Sequence, residues 1–98
     1  MKLIWSKRAP SDLLEIGEFI SRHAPENARR HVQHLIERAK QAAHLPASGR
    51  LVPEYQNENL REILQRNYRI VYEVDASNKR VTVITVFEAH SLIAQDLK

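Results

Sequence analysis

The sequence predicts an α+β fold in which an antiparallel helical hairpin covers one face of a four-stranded sheet. Three observations lead to this prediction. The patterns along the 98 residues run in the order strand, helix, helix and then three strands. Each helical segment carries one apolar stripe, and the later strands alternate apolar with polar residues. Burying these apolar faces together requires a helix layer on one side of a sheet, so we expect a single domain over residues 1–98.

The helical hairpin is predicted from its apolar stripes and from the residues that bound them. Ser6 is placed to cap a first helix over residues 7–24, because its hydroxyl can accept an orphan backbone N–H. Pro25 suits the start of a second helix over residues 26–44. Gly17 lies beside the first stripe and predicts a close approach between the helices. The stripes consist of Ala9, Leu13, Ile16, Ile20 and Ala24 in the first helix and of Ala28, Val32, Leu35, Ile36, Ala39 and Ala43 in the second.

The sheet is predicted to combine a short first strand with a three-stranded antiparallel meander. Residues 45–59 contain two prolines and show no clear period, so they are predicted to form a loop. Arg66-Asn67 is predicted to be a two-residue turn, in which asparagine tolerates a positive φ. A short terminal helix is expected from Ser91 through Asp96. The four strands are expected at residues 2–5, 60–65, 68–75 and 80–89.

Alternation along the strands assigns their side chains to the two faces of the sheet. We expect the face opposite the helices to be open to solvent or to a partner. A two-residue turn pairs Leu64 with Arg69 and Glu62 with Val71, which makes Glu62 and Arg69 diagonal neighbours on that open face. The helix side is expected to take Tyr68, Ile70, Tyr72, Val74, Val81, Val83, Thr85 and Phe87. The open face is expected to take Arg69, Val71, Glu73, Thr82, Ile84, Val86, Glu88 and His90.

The open face thus brings together three residues whose side chains could take part in catalysis, namely Arg69, Glu62 and His90. An arginine can clamp a phosphate through two parallel hydrogen bonds. A histidine can move a proton near neutral pH. Cleavage of RNA at a 2′-hydroxyl requires these two roles. The alternative interpretation is that Glu62 and Arg69 form a structural cross-strand ion pair and that His90 contacts the terminal helix.

Composition excludes several classes of protein. The chain has no cysteine, which excludes disulfides and thiolate metal sites, and its two glycines cannot build a phosphate-binding loop. His31 and His34 are spaced for a shared metal, but no third ligand lies nearby in sequence, so we expect neither a metal nor a cofactor. No apolar run is long enough to span a membrane and no signal peptide is recognisable, so we expect a cytoplasmic protein.

The charge distribution favours an acidic partner. The net charge is +3, and residues 1–50 hold nine Lys/Arg against five Asp/Glu. Arg30, His34 and Arg38 are spaced four residues apart, away from the apolar stripe of the second helix, and form a basic ridge. This ridge is either a solvated helix face or a surface that meets acidic protein or phosphate.

Motifs that span nearly the whole chain resemble the RelE/ParE superfamily of type II toxins. The resemblance begins with Trp5-Ser6, Ala9, Asp12-Leu13, Ile16 and Phe19-Ile20. It continues through Leu45-Pro46, Gly49-Arg50, Arg61-Glu62-Ile63, the run from Tyr68 to Val74 and a strand that ends at His90. The fold that this resemblance implies, one strand, two helices and a sheet, agrees with the fold predicted from the residues.

The resemblance implies a toxin that a cognate antitoxin binds and neutralises, forming a toxin–antitoxin hetero-oligomer. Two activities occur on this fold. ParE-like members inhibit DNA gyrase without a known catalytic constellation, whereas RelE-like members are ribosome-dependent mRNA endonucleases. In the ribonuclease alternative, Arg69 and His90 would be catalytic and Glu62 would support them.

The residues favour the ParE-like, non-enzymatic activity. RelE-type enzymes typically bring several lysines and arginines to the sheet and often a tyrosine near the C-terminus. Here the last tyrosine is Tyr72, and the only lysines after Lys40 are Lys79 and Lys98. The helix pair and the Gly49-Arg50 loop are similar to those of ParE. We therefore expect a gyrase inhibitor in which Arg50, Arg61 and Arg69 take part in binding.

Overall fold

The computed structural model describes residues 1–89, which form two helices and a five-stranded mixed sheet. His90 and the helix expected over residues 91–96 lie outside the described residues. The predicted α+β class is confirmed, with both helices packed on one face of the sheet. The elements are β1 (Lys2–Trp5), α1 (Arg8–His23), α2 (Pro25–His44), a 3-10 turn (Pro46–Ser48), β2 (Arg50–Leu51), β3 (Leu60–Gln65), β4 (Tyr68–Asp75) and β5 (Arg80–Glu88).

The sheet has the strand order β1-β5-β4-β3-β2. The meander β3-β4-β5 is antiparallel as expected, and β1 pairs in parallel with β5. The fifth strand, β2, was not predicted, because it contains only Arg50 and Leu51, which pair with Glu62 and Arg61. Two residues are too few to produce a detectable alternation, so the prediction of an uninterrupted loop over residues 45–59 is wrong at this point.

The helices form the predicted hairpin, and their stripes face the sheet. Ala9, Leu13 and Ile16 are buried against Ile70 and Val86 of the sheet. The larger cluster also contains Leu35, Ala39 and Val83, with Leu3, Trp5, Ile20, Val32, Ile36 and Tyr68 packed around it. A second cluster joins the C-terminal half of α2 to the sheet through Ala42, Ala43, Ile63, Tyr72 and Val81.

Two predicted details of the hairpin are present. The Ser6 hydroxyl accepts the backbone N–H of Ala9 at 3.2 Å and donates to the carbonyl of Ile84 at 2.6 Å, which ties the start of α1 to β5. A Cβ placed on Gly17 would lie 3.3 Å from Cγ2 of Val32, so this glycine is a point of close approach between the helices.

The predicted register between β3 and β4 is confirmed, including the pairs Leu64–Arg69 and Glu62–Val71. The turn between these strands differs in one respect. Its positive φ lies at Arg66, where φ is 55°, and not at Asn67. The turn itself was therefore predicted correctly, but the residue with left-handed backbone geometry is Arg66, one position before the predicted Asn67.

A β-bulge reverses the face assignment in the second half of β5. Val71 pairs with Thr85 and Tyr72 with Val83, so Ile84 is the extra residue. Beyond the bulge, Val86 packs with the helices and Phe87 packs on the opposite face, which is the reverse of the prediction. Strict alternation failed here because one inserted residue moves every following side chain to the other face.

The face opposite the helices is covered in part, which corrects the expectation of a fully open surface. The segment that connects β2 with β3 lies across it. Val52 of this segment is 1% exposed and packs with Leu60 and Val71, while Tyr55, Ile84 and Phe87 surround this third cluster. The segment therefore acts as a cover over the middle of the sheet.

Candidate functional site

Arg69 lies in the middle of β4, beneath the segment that covers the sheet. Only 5% of the residue is exposed, and its β3 neighbour Glu62 is 1% exposed. The Nε atom of Arg69 donates to Oε1 of Glu62 at 2.7 Å, and Nη2 lies 2.7 Å from the same oxygen. The predicted diagonal pair is thus formed, and it is buried.

A second carboxylate, Glu54 from the covering segment, holds the far side of the same guanidinium. Nη1 of Arg69 donates to Oε2 of Glu54 at 2.7 Å, and Nη2 donates to Oε1 at 2.6 Å. This is the two-pronged geometry that arginine also uses to hold a phosphate. The guanidinium carbon lies 5.0 Å from the ring centroid of Phe87, which adds a cation–π contact.

The electrostatics of this cluster fix Arg69 in its charged form. Hydrogen bonds that Arg69 donates to Glu54, and then to Glu62, raise its pKa further above the usual value, although burial opposes this shift. Glu62 also accepts from Arg50 at 2.6 Å, so the cluster alternates Arg50, Glu62, Arg69 and Glu54. Two positive and two negative side chains leave it with no net charge.

The other two arginines expected to bind a target lie at the β2–β3 edge. The side chain of Arg50 is 56% exposed and reaches the buried Glu62 from the rim of the sheet. Nη1 of Arg61 donates to the backbone carbonyl of Gly49 at 2.8 Å. The structure therefore brings Arg50 and Arg69 together on one carboxylate, while Arg61 holds the neighbouring backbone.

Gly49 anchors the start of the covering segment to the sheet. Its N–H donates to Oη of Tyr72 at 2.9 Å, and that hydroxyl donates to the carbonyl of Pro46 at 2.7 Å. A Cβ on Gly49 would lie 2.7 Å from the carbonyl oxygen of Glu62 and closer still to the Tyr72 hydroxyl, so no other residue fits here. Burial raises the pKa of Tyr72, which keeps its hydroxyl available as a donor.

His90, the second catalytic candidate, lies outside the described residues. It was assigned to the face of Arg69 by counting alternate residues through Thr82, Ile84, Val86 and Glu88. The bulge at Ile84 breaks that count, because Val86 packs with the helices. The alternation argument therefore gives no support for pairing His90 with Arg69.

Glu54 is the residue of this cluster that sequence reasoning missed. It lies in a stretch without periodicity, and ion pairs between a loop and a strand leave no spacing signal. The neighbouring residues offered a weak one, because Val52 and Tyr55 lie on either side of Glu54 and can pack on a sheet. Val52 is buried and Tyr55 is partly buried, so the segment packs on the sheet and brings Glu54 near Arg69.

An apolar groove of about 540 Å³ lies between α1 and α2. The apolar side chains that line it include Leu13, Leu14, Val32 and Ile36, with Gly17 at a point of close approach between the helices. Leu14 is 66% exposed, which is high for a leucine in a helix that packs on a sheet. Within residues 1–89, no helix is long and apolar enough to cross a membrane.

The family model described as the ParE toxin of type II toxin-antitoxin systems, parDE, matches residues 3–92. No significant match was found among curated protein sequences.

Several solved structures share the fold. A chain of the chromosomal ParDE toxin–antitoxin system from P. aeruginosa superposes with a TM-score of 0.76 at 22% identity, covering 92% of this chain and 97% of that one. A chain of the RelBE2 toxin–antitoxin complex from Mycobacterium tuberculosis gives 0.65 at 18% identity, with coverages of 89% and 95%. A chain of the intact E. coli RelBE complex gives 0.64 at 20% identity, with coverages of 92% and 98%.

Proposed function

The chain belongs to the ParE toxin family of type II toxin–antitoxin systems, and on this premise we propose that it inhibits DNA gyrase by binding it. A cognate antitoxin would hold it inactive in a hetero-oligomer in the cytoplasm. The observation that carries the non-enzymatic part of this proposal is the state of Arg69, which is 5% exposed and bound to two carboxylates.

A ribonuclease that used Arg69 would have to free its guanidinium first. A phosphodiester would need the two N–H groups that Glu54 occupies at 2.6 and 2.7 Å. If the phosphodiester displaced Glu54, the negatively charged carboxylate would remain nearby and would repel the phosphate. Arg69 therefore supports the sheet rather than chemistry. Arg50, with more than half of its side chain exposed, remains the better candidate for contacting a target.

The antitoxin is proposed to occupy the groove between α1 and α2. This groove is lined mainly by apolar side chains, and Leu14 is 66% exposed within it. An amphipathic segment that lays its apolar face in such a groove would cover these side chains. The ParDE and RelBE relatives were solved as toxin–antitoxin systems, which supports a protein partner for this chain.

A supercoiling assay tests the proposal. Purified free chain is added to DNA gyrase, and we expect loss of supercoiling that is restored by adding the antitoxin. Unimpaired supercoiling at saturating chain would refute gyrase as the target. A parallel assay on translating ribosomes tests the alternative, which predicts mRNA cleavage in the ribosomal A site that His90→Ala abolishes.

A paired variant separates the two activities without unfolding the protein. Replacing Arg69 and Glu62 together, as Arg69→Met with Glu62→Leu, removes a buried ion pair as a unit and fills its volume with apolar atoms. Under the proposal this variant still inhibits gyrase. Under the ribonuclease alternative it loses mRNA cleavage while keeping its fold, as judged by circular dichroism.

A further inference from the structure

A small basic cavity lies on the opposite side of α2 from the groove residues Ala28 and Val32, where the helix meets the β3–β4 turn. Its volume is about 150 Å³. The cavity is lined by Asn27, Arg30, His31, His34 and Arg66. None of these side chains belongs to the Arg69 cluster, so the cavity is separate from the candidate site described above.

The helix contributes four of the lining residues from a single face. Asn27, Arg30, His31 and His34 are spaced i, i+3, i+4 and i+7, and these positions lie above one another on an α-helix. Two of them belong to the basic ridge identified in the sequence. The turn then adds Arg66 from a distant part of the chain, so the fold itself assembles the cluster.

In the part of the chain that the structure describes, the cluster has no counter-charge, because no carboxylate lines the cavity. Within residues 1–89, neither Arg30 nor Arg66 forms an ion pair, whereas Arg8, Arg50, Arg69 and Arg80 all do. Two permanently charged guanidinium groups at one small cavity repel each other, and an anion placed between them relieves that repulsion.

The donors present suit a tetrahedral oxyanion. Each guanidinium offers several N–H groups in a planar fork, and the Asn27 amide and the two imidazoles add further donors. A phosphate group accepts hydrogen bonds on all of its oxygens and carries the matching charge.

We propose that this cavity binds a phosphate group, supplied either by the backbone of a nucleic acid or by free phosphate. This binding is independent of the proposed inhibition of gyrase, because the cavity contains none of the arginines expected to bind a target, Arg50, Arg61 and Arg69. Arg30 and His34 of the basic ridge identified from the sequence are therefore part of an anion site.

The test is an NMR titration of the ¹⁵N-labelled full chain with inorganic phosphate at constant ionic strength. We expect saturable shifts in the amides of residues 27–34 and of Arg66. Arg66→Asn removes the charge while keeping a residue that tolerates the positive φ of 55° at this position. We expect it to weaken phosphate binding by about tenfold, the effect of losing one charged hydrogen bond.

The matched control is Arg22→Gln, because Arg22 is an exposed arginine in the last turn of α1 that does not line the cavity. We expect this variant to bind phosphate as the wild type does. Equal weakening by Arg22→Gln and Arg66→Asn, or shifts spread evenly over the surface, would overturn the proposal, since both indicate diffuse attraction to net positive charge.

A second arm identifies the source of the phosphate. Displacement of inorganic phosphate by a short DNA oligonucleotide indicates the nucleic-acid backbone. In that case, the slope of the logarithm of the oligonucleotide binding constant against the logarithm of salt concentration should be smaller by about one in Arg66→Asn than in the wild type. Phosphate binding without competition from the oligonucleotide indicates free phosphate. Failure of both probes to perturb residues 27–34 would refute the site.

Discussion

Replacing Arg69 with methionine tests whether this arginine is structural. The change leaves Glu62, whose side chain is 0% exposed, with Arg50 as its remaining partner. Breaking a buried ion pair by removing one member costs roughly 3–5 kcal/mol. Because Arg50 still contacts Glu62 from the rim, we expect a loss near the lower limit, about 3 kcal/mol.

That loss is large relative to the stability of a domain of this size, which is of order 5–15 kcal/mol. Urea unfolding followed by circular dichroism measures it. With a slope of about 1.5 kcal/mol/M, the midpoint should fall by about 2 M. The double variant Arg69→Met with Glu62→Leu should recover most of the loss, because the fully buried carboxylate of Glu62 is removed together with Arg69, whereas the Glu54 side chain, which also loses its contact with Arg69, is 23% exposed.

Arg80→Met is the matched control for this experiment. Arg80 pairs with Asp75, but their side chains are 44% and 39% exposed, and surface pairs of this kind contribute at most about 1 kcal/mol. A loss in Arg69→Met no larger than that in Arg80→Met would refute the argument. So would a double variant whose loss equals the sum of the two single losses.

Three further variants probe the packing around the covering segment and the helices. Gly49→Ala should destabilise the protein by about 2 kcal/mol or more in urea unfolding, because its Cβ would overlap backbone and the Tyr72 ring; wild-type stability would contradict this. The pKa of Tyr72 is raised by burial, so the free energy of unfolding should fall as pH rises above about 10, where the unfolded tyrosine ionises first. Tyr72→Phe should flatten that decline, and an unchanged pH profile would count against it. Gly17→Ala should stabilise α1 by about 0.5 kcal/mol, since the gain in helix propensity exceeds the cost of shifting the half-buried Val32; a lower thermal midpoint would show that Val32 does not yield.

The local patterns in the sequence predicted most of the fold. The limits of β3 and β4 follow from alternation, and their register follows from the short turn between them. A two-residue turn allows only one register, in which Leu64 lies opposite Arg69. The helix stripes worked for a similar reason, since the period of 3.6 residues persists over four or more turns. Long, regular patterns therefore carried the prediction.

The candidate site was predicted only in part, because its decisive contacts are not periodic. Glu62 and Arg69 were placed together from register alone, and the structure brings them within hydrogen-bonding distance. Glu54 arrives from an irregular segment whose path depends on the burial of Val52 and Tyr55. The bulge at Ile84 is equally invisible in the pattern, since both of its neighbours suit a strand.

The parallel pairing of β1 with β5 has a consequence for the order of folding. Lys2 lies opposite Arg80 and Trp5 opposite Val83, so the first strand of the chain depends on the last strand described here. Pairings between residues so far apart in sequence form late, because closing the long intervening loop lowers the entropy of the chain before the stabilising strand contacts have formed. During synthesis, β1 leaves the ribosome before residues 80–83 and must wait for them. A chain that still lacks these residues therefore has no completed sheet, and the domain finishes folding only after β5 has been made.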